Sequence, residues 1–295
     1  MEWERAKNYI LVFFVLLNIC LGFLVFLENR RYTMTGEQER LIRTVLNRNN
    51  IIMYQLPLRH SPPMRPLIVR GFYYDVDTVD ALLEILFQDP EYVERTSHDG
   101  MYQFRSGTTV MTISNGFIFY HVRGGFPQEE RDAFQALALL PADITFEKAR
   151  ILTDEFIQAY FPDFVQDDSF EVLSGMRIIY RQKYRGQLVH SNFIEFLVTP
   201  VGIFEIEMQF GRIVEHAGTP IMLFSPDEAL LSFAQRVSHI TRERPMHISD
   251  MDLVYFQAYI SDQPNYYHAV PFYRIFVKGE SRPYLINALT NVIID

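Results

Sequence analysis

The chain has 295 residues, a formal net charge of −9 and a hydrophobic content of 48%. That acidic balance excludes the basic footprint of a nucleic-acid-binding protein. A single cysteine, Cys20, excludes a disulfide framework and leaves the remainder without thiol chemistry.

Residues 1–7 read as a short tail. Residues 8–27, NYILVFFVLLNICLGFLVFL, carry no charge. At about 1.5 Å per residue, such a run spans roughly 30 Å, the depth of a hydrocarbon core, so an uncleaved transmembrane helix is expected here. A cleaved signal peptide would have a shorter apolar stretch and an A-x-A-like site. Here the run ends in Glu28-Asn29-Arg30-Arg31-Tyr32. Trp3 and Tyr9 suit one membrane interface and Tyr32 the other. Asn18 and Gly22, four apart, share one helix face and form a candidate contact with a partner transmembrane helix. The plainer reading gives the Asn18 amide a backbone carbonyl. Arg5 and Lys7 before the run, against Arg30 and Arg31 after it, leave the charge rule for orientation close to a tie.

Residues 28–50 are expected to form a juxtamembrane helix or stalk. Thr35-Gly36-Glu37-Gln38 matches a capping box, and Leu41, Ile42, Val45 and Leu46 then fall on one face. An N-terminal α+β subdomain is expected over 51–125. It comprises strands at 51–56 and 67–74, an amphipathic helix over 76–87, and strands at 91–96, 101–104, 108–113 and 117–122. Asn115-Gly116 between apolar runs is the strongest hairpin signal in the chain. Arg123-Gly124-Gly125-Phe126-Pro127 breaks the pattern, and a boundary falls between there and Pro141.

A C-terminal α+β subdomain follows over 140–295, with two helix-plus-meander repeats at 145–214 and 225–295. Thr145-Phe-Glu-Lys-Ala149 and Ser225-Pro-Asp-Glu-Ala229 each open with a hydroxyl N-cap and place an acid in the first turn. The expected fold class is therefore α+β: an N-terminal transmembrane helix, then an ectodomain of helices packed on antiparallel sheets.

Catalytic motifs are absent from the sequence. There is no G-x-S-x-G elbow, S-x-x-K or P-loop, and no H-x-x-x-H spacing among His60, His98, His121, His190, His216, His239, His247 and His268. No catalytic, cofactor-binding or metal-binding residue is assigned. Asp167-Asp168 reads as loop acids between a helix and a strand. Glu205 and Glu207, alternating with Phe204 and Ile206, read as the solvent face of a strand. The aromatic clusters Phe72-Tyr73-Tyr74 and Tyr266-Tyr267 suit either an interface or strand packing.

Both ends of the chain resemble the YycI (WalI) family. At the start, Met1-Glu-Trp-Glu-Arg-Ala-Lys7 runs into one apolar helix containing Leu17-Asn18, followed by a short helix to Asn50 and a Leu56-Pro57 step. At the end come Val270-Pro271-Phe272-Tyr273-Arg274-Ile275, then Tyr284-Leu-Ile-Asn287-Ala288, then residues 290–293, a pattern also reminiscent of PepSY-type modules. The family pattern has Trp where this chain has Tyr273, and a Thr-Gly step where it has Thr290-Asn291; Asn is able to take the left-handed conformation that Gly would supply.

The resemblance implies a regulator of the WalK/WalR (YycG/YycF) two-component system of low-GC Gram-positive bacteria, working by binding with no cofactor. It would sit in the cell membrane with its N-terminus cytoplasmic and its C-terminal domain extracytoplasmic. Its partners would be a WalK/YycG-like sensor histidine kinase and a YycH-like protein. The alternative function is a PepSY-type module that binds a peptide or wall ligand or inhibits a protease.

Overall fold

The computed structural model describes residues 2–294 except 55–57, 72–75, 88–89, 99, 115, 123–143, 173–174, 201, 239–244, 261–265 and 281. It opens with α1 (Glu2–Arg31), a helix whose described side chains over 10–24 are all exposed. The structure corrects the expected fold class at this point. Among the described residues, no helix is long and apolar enough to cross a membrane. The remainder is also built mainly of strand, so sheet formation dominates over helix packing.

By its contacts the chain divides into two compact units, neither continuous in sequence. The first comprises Met1–Arg65, Thr219–Leu253 and Pro271–Asp295; the second comprises Pro66–Gly218 and Val254–Val270.

In the first unit, residues 32–34 leave α1 and pair with 59–61: the Met34 amide donates to Arg59 O at 2.9 Å, and the Ser61 amide to Tyr32 O at 3.0 Å. Next comes α2 (Gly36–Arg48), started by the Thr35–Gln38 capping box and burying Ile42 and Leu46. Its Arg43 donates to Met53 O at 2.5 Å and Tyr54 O at 3.1 Å, which holds the end of β1 (Ile51–Met53). Then α5 (Pro226–Val237) buries Ala229, Leu230, Phe233, Ala234 and Val237. Gln38 of α2 donates to Asp227 of α5 at 3.4 Å.

The strands that follow α5 are β12 (Met246–Ile260), β13 (Tyr266–Val277), β14 (Tyr284–Asn287) and β15 (Ile293–Ile294). Strand β1 pairs in parallel with the start of β12, Ile51 opposite Met246. The order then continues through β13, β14 and β15. The C-terminal residues that resemble the YycI family build this core. Tyr273 is fully buried and donates to Phe224 O at 2.5 Å; its phenol is pushed up to about 12, chiefly by burial. Asn291 adopts the left-handed φ of 57°.

The second unit contains β2 (Leu67–Gly71), α3 (Val76–Leu86), β3 (Glu94–His98), β4 (Met101–Ser106), β5 (Thr109–Ser114) and β6 (Phe117–Val122). It continues with α4 (Phe146–Tyr160), β7 (Phe164–Val172), β8 (Gly175–Tyr184), β9 (Gln187–Thr199), β10 (Gly202–Gln209) and β11 (Gly211–His216). The meander β3–β6 and the meander β7–β10 join edge to edge, because β6 and β10 pair antiparallel with Met208 opposite Ile118. Both helices lie on one face. Leu82, Leu83 and Leu86 of α3 and Ala149 and Ile157 of α4 share a core with Met111, Ile118, Ile178, Phe196 and Met208. Strand β9 also meets β12 in parallel, Val189 opposite Tyr255, and β2 lies between β11 and β13.

A buried amide organises that end of the second unit. Asn192, fully enclosed, donates to Gly211 O at 2.9 Å and accepts from the Gly211 amide at 3.2 Å and from Tyr267 Oη at 2.9 Å. A Cβ on Gly211 would meet Val69 Cγ1 at 2.6 Å and Arg70 O at 2.8 Å, so the chain passes there only as glycine.

Three stretches share one order, a helix followed by four strands: α3 with β3–β6, α4 with β7–β10, and α5 with β12–β15.

Candidate interaction surface

The sheet face of the second unit opposite α3 and α4 carries charged and aromatic side chains where its other face carries core. Strand alternation produces this arrangement. In β8, Ile178 and Tyr180 are buried while Arg177 and Arg181 alternate with them. In β9, Ile194 and Phe196 are buried while Phe193 and Glu195 face the other way. In β10, Ile206 and Met208 are buried while Glu205 and Glu207 face outward.

Register then assembles the charges. Arg177 and Glu205 both stand opposite Leu197. The Arg177 guanidinium crosses over that leucine and reaches Glu195 at 2.5 Å and Glu205 at 3.2 Å. Leu197, opposite Arg177, is buried although it lies on the charged face. Glu207 stands between Glu195 of β9 and Phe119 of β6. Burial, then the Glu195 charge, holds its carboxyl above the usual carboxylate range. Phe119 stacks on Phe117 with centroids 6.0 Å apart. Nearby, Arg181 is held by Asp167 at 2.7 Å and by His190 O, with its guanidinium 5.8 Å from the Phe193 centroid.

Glu205 and Glu207 thus share a face, as their alternation predicts, and gain Arg177 and Glu195 as neighbours. The sequence signal for Arg177 and Glu195 is their outward phase in β8 and β9; nothing local says that the two strands pair. Asp167 and Asp168 lie within β7 and not in a loop. Asp167 is an ion-pair partner for Arg181, and Asp168 accepts from the Ser169 amide at 2.8 Å.

The residues assigned to the membrane segment belong to the first unit. Asn18 donates to Phe14 O at 2.8 Å, and Gly22 has open space around it. Trp3 is exposed, and the Tyr9 side chain lies outside the described residues. Tyr32 is half-buried, edge-on to His60 at 6.4 Å. Phe72-Tyr73-Tyr74 and His239 also lie outside the described residues. Tyr267 belongs to the Asn192 network, and burial pushes its phenol up to about 12. Among the described residues, no group of three or more His, Cys, Asp or Glu is placed to hold a metal ion.

The fold defines a protein built mainly of strand, in helix-and-meander stretches. No family model and no curated protein matches the chain. Solved structures do. An uncharacterized protein from Eubacterium rectale ATCC 33656 superposes with a TM-score of 0.53 at 12% identity, over 83% of this chain and 89% of that one. This likeness concerns the fold alone. The Bacillus megaterium YpeB C-terminal domain matches with a TM-score of 0.40 at 13% identity, over 77% of this chain and 97% of that one. YycH from Bacillus subtilis matches with a TM-score of 0.44 at 8% identity, over 78% of this chain and 56% of that one.

Proposed function

We infer that this chain is a regulatory binding protein, acting outside the cytoplasm on a sensor histidine kinase together with a YycH-like partner. The observation that carries the binding reading is the charged and aromatic sheet face of the second unit, where Arg177, Glu195, Glu205 and Glu207 lie beside Phe117 and Phe119. Half-exposed aromatics among ion pairs suit protein contact. The choice of partner rests on the YycI-like residues at the two ends of the chain. Regulation in either direction requires that the protein bind the kinase's two signalling states unequally.

Crosslinking in intact cells followed by identification of captured proteins tests this. Recovery of a histidine kinase and a YycH-like protein is the expected result; recovery of wall enzymes alone overturns it.

A further inference from the structure

On the sheet face opposite α3 and α4, a single guanidinium serves a local cluster of three carboxylates: Arg177 is bonded to Glu195 and Glu205, and Glu207 adds a third. Glu207 and Glu195 stand directly opposite each other on paired strands, an arrangement of like charges that weakens a sheet. The ionised form of Glu207 is further disfavoured by burial. On the other side of Glu207 stands Phe119, 40% exposed and stacked on Phe117. His121, next along β6, stands opposite Glu205. A cationic group seated here would meet two carboxylates and an aromatic ring, and would relieve the repulsion between Glu195 and Glu207. The chain as a whole, at −9, also draws cationic partners towards it.

We propose that this face docks a cationic segment of a partner protein, an extended stretch bearing arginine or lysine, with one cationic head seated on Glu207, flanked by the Glu195 carboxylate on one side and the Phe119 ring on the other. Charge complementarity selects that occupant over an acidic or purely apolar one. The proposal rests on the binding reading above and specifies the chemistry of the partner.

The test uses the full chain and calorimetric titration with a blocked hexapeptide alternating valine and arginine, alongside its valine–glutamate counterpart. The arginine peptide binds and the glutamate peptide does not. Glu207→Gln weakens the arginine peptide about tenfold, the loss of one charge-assisted contact. Glu147→Gln, on α4 and so on the other side of the sheet, changes it less than about twofold. Circular dichroism confirms that both variants are folded. Equal affinity of the parent chain and Glu207→Gln overturns the proposal, as does equal weakening by the two substitutions. Crosslinking separates the two readings. A kinase captured undiminished by Glu207→Gln sinks this docking face and leaves the regulator reading standing, whereas failure of the parent chain to capture a kinase sinks the regulator reading itself.

Discussion

Arg274 of β13 and Asp252 of β12 form a two-pronged ion pair, with Nε to Oδ1 at 2.8 Å and Nη2 to Oδ2 at 2.5 Å. The arginine is only 2% exposed, and its guanidinium also lies 5.0 Å from the Phe276 centroid. Removing the carboxylate takes a two-pronged anionic partner from a buried cation. Asp252→Ala is expected to cost about 2–4 kcal/mol, the lower part of the range for breaking a buried pair because Asp252 is itself partly exposed. Arg274→Met, which removes the charge and keeps the volume, costs less. Urea unfolding of the two variants side by side checks the order; a smaller loss for Asp252→Ala than for Arg274→Met contradicts it.

Gly175 opens β8 with no room for a side chain. A Cβ there would meet Val198 O at 2.0 Å, on the neighbouring strand β9. Because the obstacle is backbone, relief requires moving a strand. Gly175→Ala is expected to destabilise by about 3 kcal/mol or more. Faster hydrogen exchange along β8 and β9, with a lowered denaturant midpoint, is the readout.

Tyr180 links α4 to β8. Its hydroxyl donates to Asp154 at 2.7 Å and lies 2.7 Å from Thr153 Oγ1, and burial raises its pKa well above the usual phenol range. In Tyr180→Phe, Thr153 keeps its bond to Ala149 O. The expected loss is therefore moderate, about 1–2 kcal/mol. Thermal unfolding of Tyr180→Phe beside Thr153→Val and the double variant reads their coupling.

Glu207 confers a pH dependence of known sign. Its folded-state pKa is raised, so the folded chain holds the proton more tightly than the unfolded chain. The stabilisation this gives is fully present below the unfolded pKa and is lost as pH rises through the folded one. Glu207→Gln mimics the protonated form. It is expected to melt roughly 1–2 °C above the parent at pH 7, a small gain because solvent screens a half-exposed group, and level with it near pH 4. A variant that melts below the parent at pH 7 contradicts this.

Helix starts were legible locally. Thr35 accepts from the Gln38 amide at 3.3 Å, Thr145 accepts from the Lys148 amide at 3.4 Å, and Glu228 accepts from the Ser225 amide at 2.7 Å. Each uses residues three apart, so no distant contact is needed. Gly116, in the Asn-Gly turn, takes the positive φ of 81°. Of the candidate surface, the outward phase of Glu205 and Glu207 is legible in the sequence, while nothing local joins Arg177 and Glu195 to them. The placement of Asp167 failed for a related reason: two adjacent acids look like a loop until a bulge between Gln166 and Asp168 and the partner Arg181 accommodate them in a strand.

Sequence by itself determined where chain segments begin, turn and alternate, because caps, turns and the two-residue period of a strand are set by neighbours a few bonds away. Only the tertiary structure decided which strands meet: β1 with β12 across nearly two hundred positions, and β6 with β10 across the two meanders. Those pairings are chosen by shared burial and register, which no local stretch encodes. The same register converts scattered outward residues into one surface, with Arg177, Glu195, Glu205, Glu207 and Phe119 on four adjacent strands.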